Sequence, residues 1–411
     1  MDHGNVNAGD TAFVLLSTAL VMLMTPGLGL FYGGMVRRKN VIGTILQSLM
    51  AVPLIGIQWV LWGYSLAFGP DIKGFIGSLD WFGLTGVGLE PNADYAATIP
   101  HQAFMIYQAM FAVITPALIT GAFAERIKFK SFLVFSVLWA TFVYDILAHW
   151  VWGAGGWLKN MGALDFAGGN VVHISSGLSA LAAALFIGKR KDYGQEGLQA
   201  HNVTMTLLGA GLLWFGWFGF NAGSALSANG LSTAAFVTTN TAAAAATISW
   251  LFAEWWRQGK PTALGAASGA VAGLVAITPA AGFVTPLSAL AIGAIAGILC
   301  YGAIRVKAKL GYDDSLDAFG IHGIGGIWGA LATGLFATKT INANGANGLF
   351  YGNPHQLYVQ AVSVLACGAF AFIMSWMMFK AIDAVIGLRV GEEEEEIGLD
   401  LTQHGEAGYS L

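Results

Sequence analysis

Charge is scarce in this chain. Asp, Glu, Lys and Arg make up 10% of its 411 residues, where a soluble domain carries ~25%. So few charges cannot cover a water-exposed surface, which argues against a soluble enzyme, a nucleic-acid binder and a disordered chain. Cysteine is scarcer still. Cys300 and Cys367 both lie inside apolar stretches, which leaves neither a disulfide framework nor a zinc site, and no metal or cofactor is expected. A basic leader is also lacking: Met1-Asp2-His3-Gly4-Asn5 has no cationic n-region, so no cleavable signal is expected. What remains is apolar. The AVILMFWYC set makes up 56% of the chain, and its 56 glycines are about twice the usual share of ~7%. The solvent for most of this chain is lipid.

A bilayer core ~30 Å thick is crossed by ~20 apolar residues in a helix. Tracts without Asp, Glu, Lys or Arg mark such spans at 11–36, 40–70 and 95–124. A fourth lies at 131–151, interrupted by Asp145, and a fifth at 166–188. The tract 197–253 is long enough for two, split near Ser227-Ala228-Asn229. The tract 261–304 holds two more, broken at Thr278-Pro279 and Thr285-Pro286. Spans at 318–338 and 355–380 bring the expected count to eleven.

Positive charges test that count, because cytoplasmic loops collect Lys and Arg. With eleven spans, alternate loops receive sixteen of the 19 basic residues, including Arg37, Arg126, Arg190, Arg257, Arg305 and Arg389. The other loops receive Lys73, Lys159 and Lys339. This split places the N-terminus outside and the C-terminus inside. Residues 1–390 then form the membrane domain and 391–411 a cytoplasmic tail. Its acidic run Glu392–Glu396 reads as a solvated segment.

The spans divide as five plus five plus one. Gly29 and Gly33 in span 1 and Gly219 and Gly223 in span 6 have the spacing that lets helix backbones approach closely. In span 5 His173 precedes Gly177 by four residues, and in span 10 His322 precedes Gly326 by four. By the loop charges the paired spans run in opposite directions, the pattern of an inverted repeat with a substrate path at its interface. Ionisable groups within a span are rare and face a bundle interior or a pathway. His173 lies ~24 Å from the inner end of its helix and His322 ~26 Å from the outer end of its own, at 1.5 Å per residue. The two rings thus stagger, as if in file along one pore. A packing role for each histidine and bis-histidine haem ligation are the competing readings. The second is disfavoured by the lack of another such pair. His101, His149, His201 and His355 fall near span ends, where an interfacial role suffices.

Aromatic residues gather at other points. Tyr107 and Phe111 share one face of span 3 at i and i+4. Trp214, Trp217 and Phe220 precede Ser224 in span 6, and His149-Trp150-Val151-Trp152-Gly153 closes span 4. Interfacial Trp and Tyr form an aromatic belt in many membrane proteins. Aromatic faces with a hydroxyl at an outer mouth also suit a small cation, an attraction worth ~2 kcal/mol when desolvated.

Several stretches resemble the ammonium transporter family (Amt/Mep/Rh), in its bacterial Amt branch: Gly121-Ala-Phe-Ala-Glu-Arg126, Gly162–Gly169 leading to His173, Trp217–Ser224, Phe319-Gly-Ile-His-Gly323, and the C-terminal Ile386–Val390, Gly398-Leu-Asp400 and His404-Gly-Glu406. The resemblance implies an ammonium and ammonia transporter rather than an enzyme, a homotrimer in the plasma (inner) membrane with one pore per subunit. Carried over by motif, it implies ammonium recruitment by Trp152, Ser224 and Tyr107, a gate of Phe111 and Phe220, and pore histidines His173 and His322. It also implies structural support of the site by Asp165 and Trp217, and contact of the short tail with a PII-type signalling protein. Tyr107 stands where many members carry Phe. Asp145 has no assigned role. An ammonium sensor with little flux is the alternative; the tail, about 25 residues, lacks room for an appended signalling domain.

Overall fold

The computed structural model describes residues 6–194 and 198–409. The expected leaderless start at Met1–Asn5 and the last two residues of the tail lie outside them. Helices carry about two thirds of the described residues: α1 (Ala8–Met35), α2 (Arg38–Phe68), α3 (His101–Phe123), α4 (Phe129–Val151), α5 (Gly169–Ile187), α6 (Val203–Ala225), α7 (Gly230–Gln258), α8 (Ala263–Ile277), α9 (Pro286–Leu310), α10 (Phe319–Phe336) and α11 (Pro354–Ile386). Among the described residues, nine of them are long and apolar enough to cross a membrane. The other two fall where spans are expected. α8 has only 15 residues, and α7 has 29 but mixes Thr, Asn, Glu and Arg among its alanines.

The breaks have local causes. Asn229 starts α7 by accepting from the amides of Leu231 and Ser232, which satisfies donors that the first helical turn leaves open. Thr278 closes α8 before Pro279. Thr285 caps α9 through the Ser288 amide, with Pro286 at the first helical position, where its missing N–H costs nothing. Four π-helical turns were invisible to hydropathy: Trp59–Gly63 in α2, Ala140–Tyr144 in α4, Gly169–Ile174 in α5 and Phe319–Gly323 in α10. The last two hold His173 and His322.

Small residues set the helix approaches, though not all as expected. A Cβ on Gly219 would lie 2.6 Å from Leu20 and 2.8 Å from the Ser17 carbonyl, so α6 uses this glycine to press on α1. Gly33 instead faces α2, where a Cβ would meet Ile45 at 2.8 Å. The α1 glycines turned to α6 are Gly27 and Gly34, against Leu212 and Thr206. Spacing alone identified glycines built for contact without identifying the partner helix.

The cationic loops gather on one face. There Arg190 pairs with Asp313 at 2.9 Å and Glu125 at 3.1 Å, and Arg37 with Glu125 at 3.0 Å and Asp192 at 2.7 Å. Arg126 bonds the carbonyls of Ala122 and Asp313. Burial works against ionised Asp313, but the Arg190 hydrogen bonds and the charges of Arg126 and Arg190 hold its carboxyl below the usual range. Four loops are thereby tied into one buried ionic cluster.

The acidic run departs in part from expectation. Glu392–Ile397 is a short helix, α12, followed by α13 (Leu399–His404), and both lie on this basic face. Glu395 is 2% exposed. Its carboxylate accepts from the Lys191 amide at 2.8 Å and from Arg389 at 2.8 Å. Lys39 donates to the carbonyls of Glu395 and Glu396. Asp400 accepts from the amides of Ile42 and Gly43, near the start of α2. The loops that carry the positive charge thus supply partners for Glu395 and the tail docks through it, while Glu392, Glu393 and Glu396 stay exposed as expected.

Candidate conduction site

On the face opposite the basic one, a cavity of about 270 Å³ is lined by Phe68, Asp94, Tyr95, Gln108, Phe111, Trp152, Lys159, Asp165 and Ser224, among others. Two aspartates order its surroundings. Asp165 accepts from the amides of Gly168 (2.7 Å), Gly169 (2.6 Å), Asn170 (2.7 Å) and Val171 (3.4 Å). It therefore fastens the first turn of α5, where unpaired N–H groups favour a carboxylate. The turn needs φ +117° at Gly168, a conformation suited to glycine. Through its carbonyl Asp165 also accepts from Trp152 Nε1 at 2.9 Å, fixing that indole.

Asp314 does the same for α10, accepting from the amides of Ala318 and Phe319 at 3.0 and 2.8 Å. Burial, opposed by the nearby Lys307, pushes its carboxyl up to about 6. Sequence reasoning passed over Asp314. The available signal was its offset, because it stands eight residues before His322 as Asp165 stands eight before His173.

At the cavity floor, aromatic rings form a file. Tyr107 and Phe111 have centroids 5.0 Å apart, and Phe111 and Phe220 are 4.2 Å apart at 35°. Phe220 lies 6.1 Å from His173 at 24°, and His173 lies 5.4 Å from His322 at 21°. Tyr107 does not line the cavity. It is fully buried, its hydroxyl lying 2.8 Å from the Phe220 carbonyl and 3.2 Å from Ser224 Oγ. Ser224 Oγ donates to the same carbonyl at 2.9 Å. Of the proposed recruitment group, Trp152 and Ser224 face the cavity and Tyr107 holds Ser224 from behind.

The two histidines are in contact. Their Nδ1 atoms are 3.3 Å apart, and the side chains are 1% and 3% exposed. Where the helix-end distances stagger the rings between the two halves of the membrane, the structure brings their centroids to 5.4 Å and their Nδ1 atoms within hydrogen-bond reach. Counting hydrogens fixes the tautomers. Thr278 Oγ1 donates its one proton to the Leu274 carbonyl at 2.7 Å. It accepts from Trp217 Nε1 at 2.9 Å and has a lone pair left for His173 Nε2 at 3.3 Å. His173 then carries its proton on Nε2 and offers Nδ1 as acceptor. His322 must donate from Nδ1 and keeps Nε2 as its own acceptor. Thr278 was read in the sequence only as a chain break, and its hydroxyl gave no motif. Trp217 reaches the pair through this hydroxyl and by stacking 5.5 Å from His173.

Around the pair, Leu28, Phe31, Ile114, Leu118, Val172, Leu213, Trp217 and Val271 leave a cavity of about 10 Å³. That is at the threshold for one water-sized molecule, roughly 10–15 Å³. On the basic face a wider cavity of about 600 Å³ opens beside Met35, Ser268, Ile304 and Asp317. Ile304 packs near Gly320, two residues before His322.

Other candidates lie apart. Asp145 is fully buried and accepts from Gln58 Nε2 at 2.8 Å, facing α2 and lining neither of the first two cavities. His101 meets the Tyr64 hydroxyl at 2.6 Å, and His149 lies between the Ala67 carbonyl and Asp71. His201 bonds the Val36 carbonyl, and the His355 ring packs by Tyr358.

A helical membrane protein with cavities on both faces and a file of rings between them belongs to the class of channels and transporters. Residues 12–409 match the model of the Ammonium Transporter Family, and the chain belongs to that family. It is 56% identical over 402 residues to an ammonium transporter of Bacillus subtilis (strain 168), with 98% of each chain covered. Its fold matches the crystal structure of Saccharomyces cerevisiae Mep2 with a TM-score of 0.92 at 38% identity, covering 99% of this chain and 92% of that one. A solved structure described as "Sensor Amt Protein" matches with a TM-score of 0.89 at 33% identity, over 98% of this chain and 100% of the other.

Proposed function

We propose that this protein moves ammonium nitrogen across a membrane by recruiting the cation, removing a proton near Phe111 and Phe220, and passing ammonia along His173 and His322. The observation that carries this reading is the hydrogen-bonded histidine pair in an apolar space at the threshold for one water-sized molecule. Bare ammonium in hydrocarbon faces an idealised Born cost on the order of 20 kcal/mol, several of which survive relaxation. Removing a proton from an ammonium of pKa ~10 at pH 7 costs ~4 kcal/mol, at 1.36 per unit. Deprotonation is the cheaper way past the phenylalanines.

The chain's groups divide that work. The Trp152 face and the Ser224 hydroxyl attract the cation. Phe111 and Phe220 exclude hydrated ions. Ammonia, with three donors and one lone pair, meets the free acceptor on His322 Nε2. A proton entering the pair at one imidazole can leave at the other, because each ring holds one donor and one acceptor. Gly177 of α5 lies against Gly323 of α10, and Gly326 of α10 against His173 of α5; these reciprocal contacts support an inverted repeat of spans 1–5 and 6–10, completed by an eleventh helix. The basic face is then cytoplasmic, with the N-terminus outside and both the C-terminus and the tail of residues 391–411 inside. Family resemblance supports a homotrimer in the plasma membrane.

Cells expressing this chain should accumulate labelled methylammonium, with ammonium competing. Absence of uptake together with tight ammonium binding would favour the sensor reading, for which the likeness to a solved sensor Amt structure speaks. We place contact with a PII-type protein at the docked tail, because Glu395 and Asp400 join it to loops beside the basic cavity's face. Deleting residues 390–411 should abolish PII-dependent inhibition of uptake; inhibition that persists at full strength would move the contact elsewhere.

A further inference from the structure

We infer that Lys159 is a resident cation of the cavity above the phenylalanine pair, a tethered competitor that weakens the site's hold on small cations. Its Nζ donates to the Trp152 carbonyl at 2.9 Å and lies 5.7 Å from the centre of the Tyr95 ring. Lys159, Trp152 and Tyr95 all line that cavity. A carbonyl oxygen and an aromatic face are groups that also hold a free ammonium ion, so the lysine head sits as a bound cation in the same cavity as the Trp152 ring and Ser224.

The opposing charges are few. The carboxylates lining the cavity are Asp94 and Asp165, and Asp165 is engaged by four backbone amides. Lys159 is the one basic side chain among the lining residues. Its neighbour Leu158 is buried, which anchors the Trp157–Met161 turn, whereas Lys159 itself is exposed. The head can therefore withdraw into water without unpacking the turn, and an arriving ammonium ion displaces it at a cost in affinity.

This inference rests on reading the cavity as the entry site, and its test separates the two. Labelled methylammonium uptake would be compared for the wild type, Lys159→Gln and Lys159→Arg. Lys159→Gln should lower KM by roughly 3- to 10-fold with the maximal rate unchanged, the repulsion of one nearby charge at a partly screened surface. Lys159→Arg should stay within about twofold of wild type, because it keeps the charge. Raising ionic strength with choline chloride from about 20 mM to about 0.5 M should narrow the gap between wild type and Lys159→Gln as the Debye length shrinks. An unchanged or raised KM in Lys159→Gln, or a gap insensitive to salt, would overturn the inference and leave Lys159 as a brace for the Trp152 turn. A wild type that takes up no methylammonium would remove the entry-site reading itself.

Discussion

His173→Ala should lower ammonium-driven current and methylammonium uptake by roughly 100-fold, the low end of the ~10²–10⁴-fold that positioned proton transfer supplies. The reason lies in the donor count. Without His173, the Nδ1 proton of His322 loses its acceptor, and Thr278 keeps its Trp217 and Leu274 partners. A buried donor left unpaired costs ~1–3 kcal/mol. More important for flux, the chain of one acceptor and one donor between the two rings is cut. His322→Ala should do similar harm by removing the free acceptor on Nε2. Because the pair acts as a unit, the double variant should be little worse than the more damaged single one. Solid-supported-membrane currents and stopped-flow uptake in proteoliposomes would measure both. Wild-type current from each variant, with selectivity for ammonium intact, would remove the histidines from the mechanism.

Charge exclusion made most of the helical framework legible, because lipid forbids ionised groups over long stretches. It worked for α1 to α6 and α9 to α11. It also found α7 and α8, whose composition or length falls short of a free-standing span. Where the physics left no trace in hydropathy, the sequence was silent. A π-helical turn inserts one residue without changing composition, so the local winding at His173 and His322 had no signature. Thr278 gains meaning only because folding brings α8 beside both α6 and α5. Asp314 was readable by repeat offset but was overlooked amid several acidic residues. The acidic run Glu392–Glu396 misled in part, for another reason. A run of like charge reads as solvated only if its partners are far off in sequence and unknown, and here they are Lys39, Lys191 and Arg389.

Gly177 is the residue whose change should do the most damage to the fold and the pore together. A Cβ there would fall 2.2 Å from the Gly323 nitrogen, 2.3 Å from its Cα and 2.8 Å from the His322 carbonyl carbon. All three are backbone atoms, so no side chain can swing aside. The matching glycine is less constrained: a Cβ on Gly326 would meet the His173 Cβ at 3.0 Å and Ile174 at 3.1 Å. Each glycine thus receives the histidine turn of the other helix, and the crossing of α5 and α10 sets how far apart the imidazoles stand. Gly177→Ala must push the helices apart by about 1 Å to restore ordinary contact. Such overpacking costs typically ~1–3 kcal/mol and sometimes more, and the same shift opens the 3.3 Å Nδ1 contact. We expect Gly177→Ala to lose nearly all uptake and to melt earlier in detergent, with Gly177→Leu failing to accumulate. Gly326→Ala should retain a measurable fraction of both stability and transport. If Gly177→Ala melts and transports like wild type, the helices cross less closely than described, and the histidine spacing does not depend on that glycine.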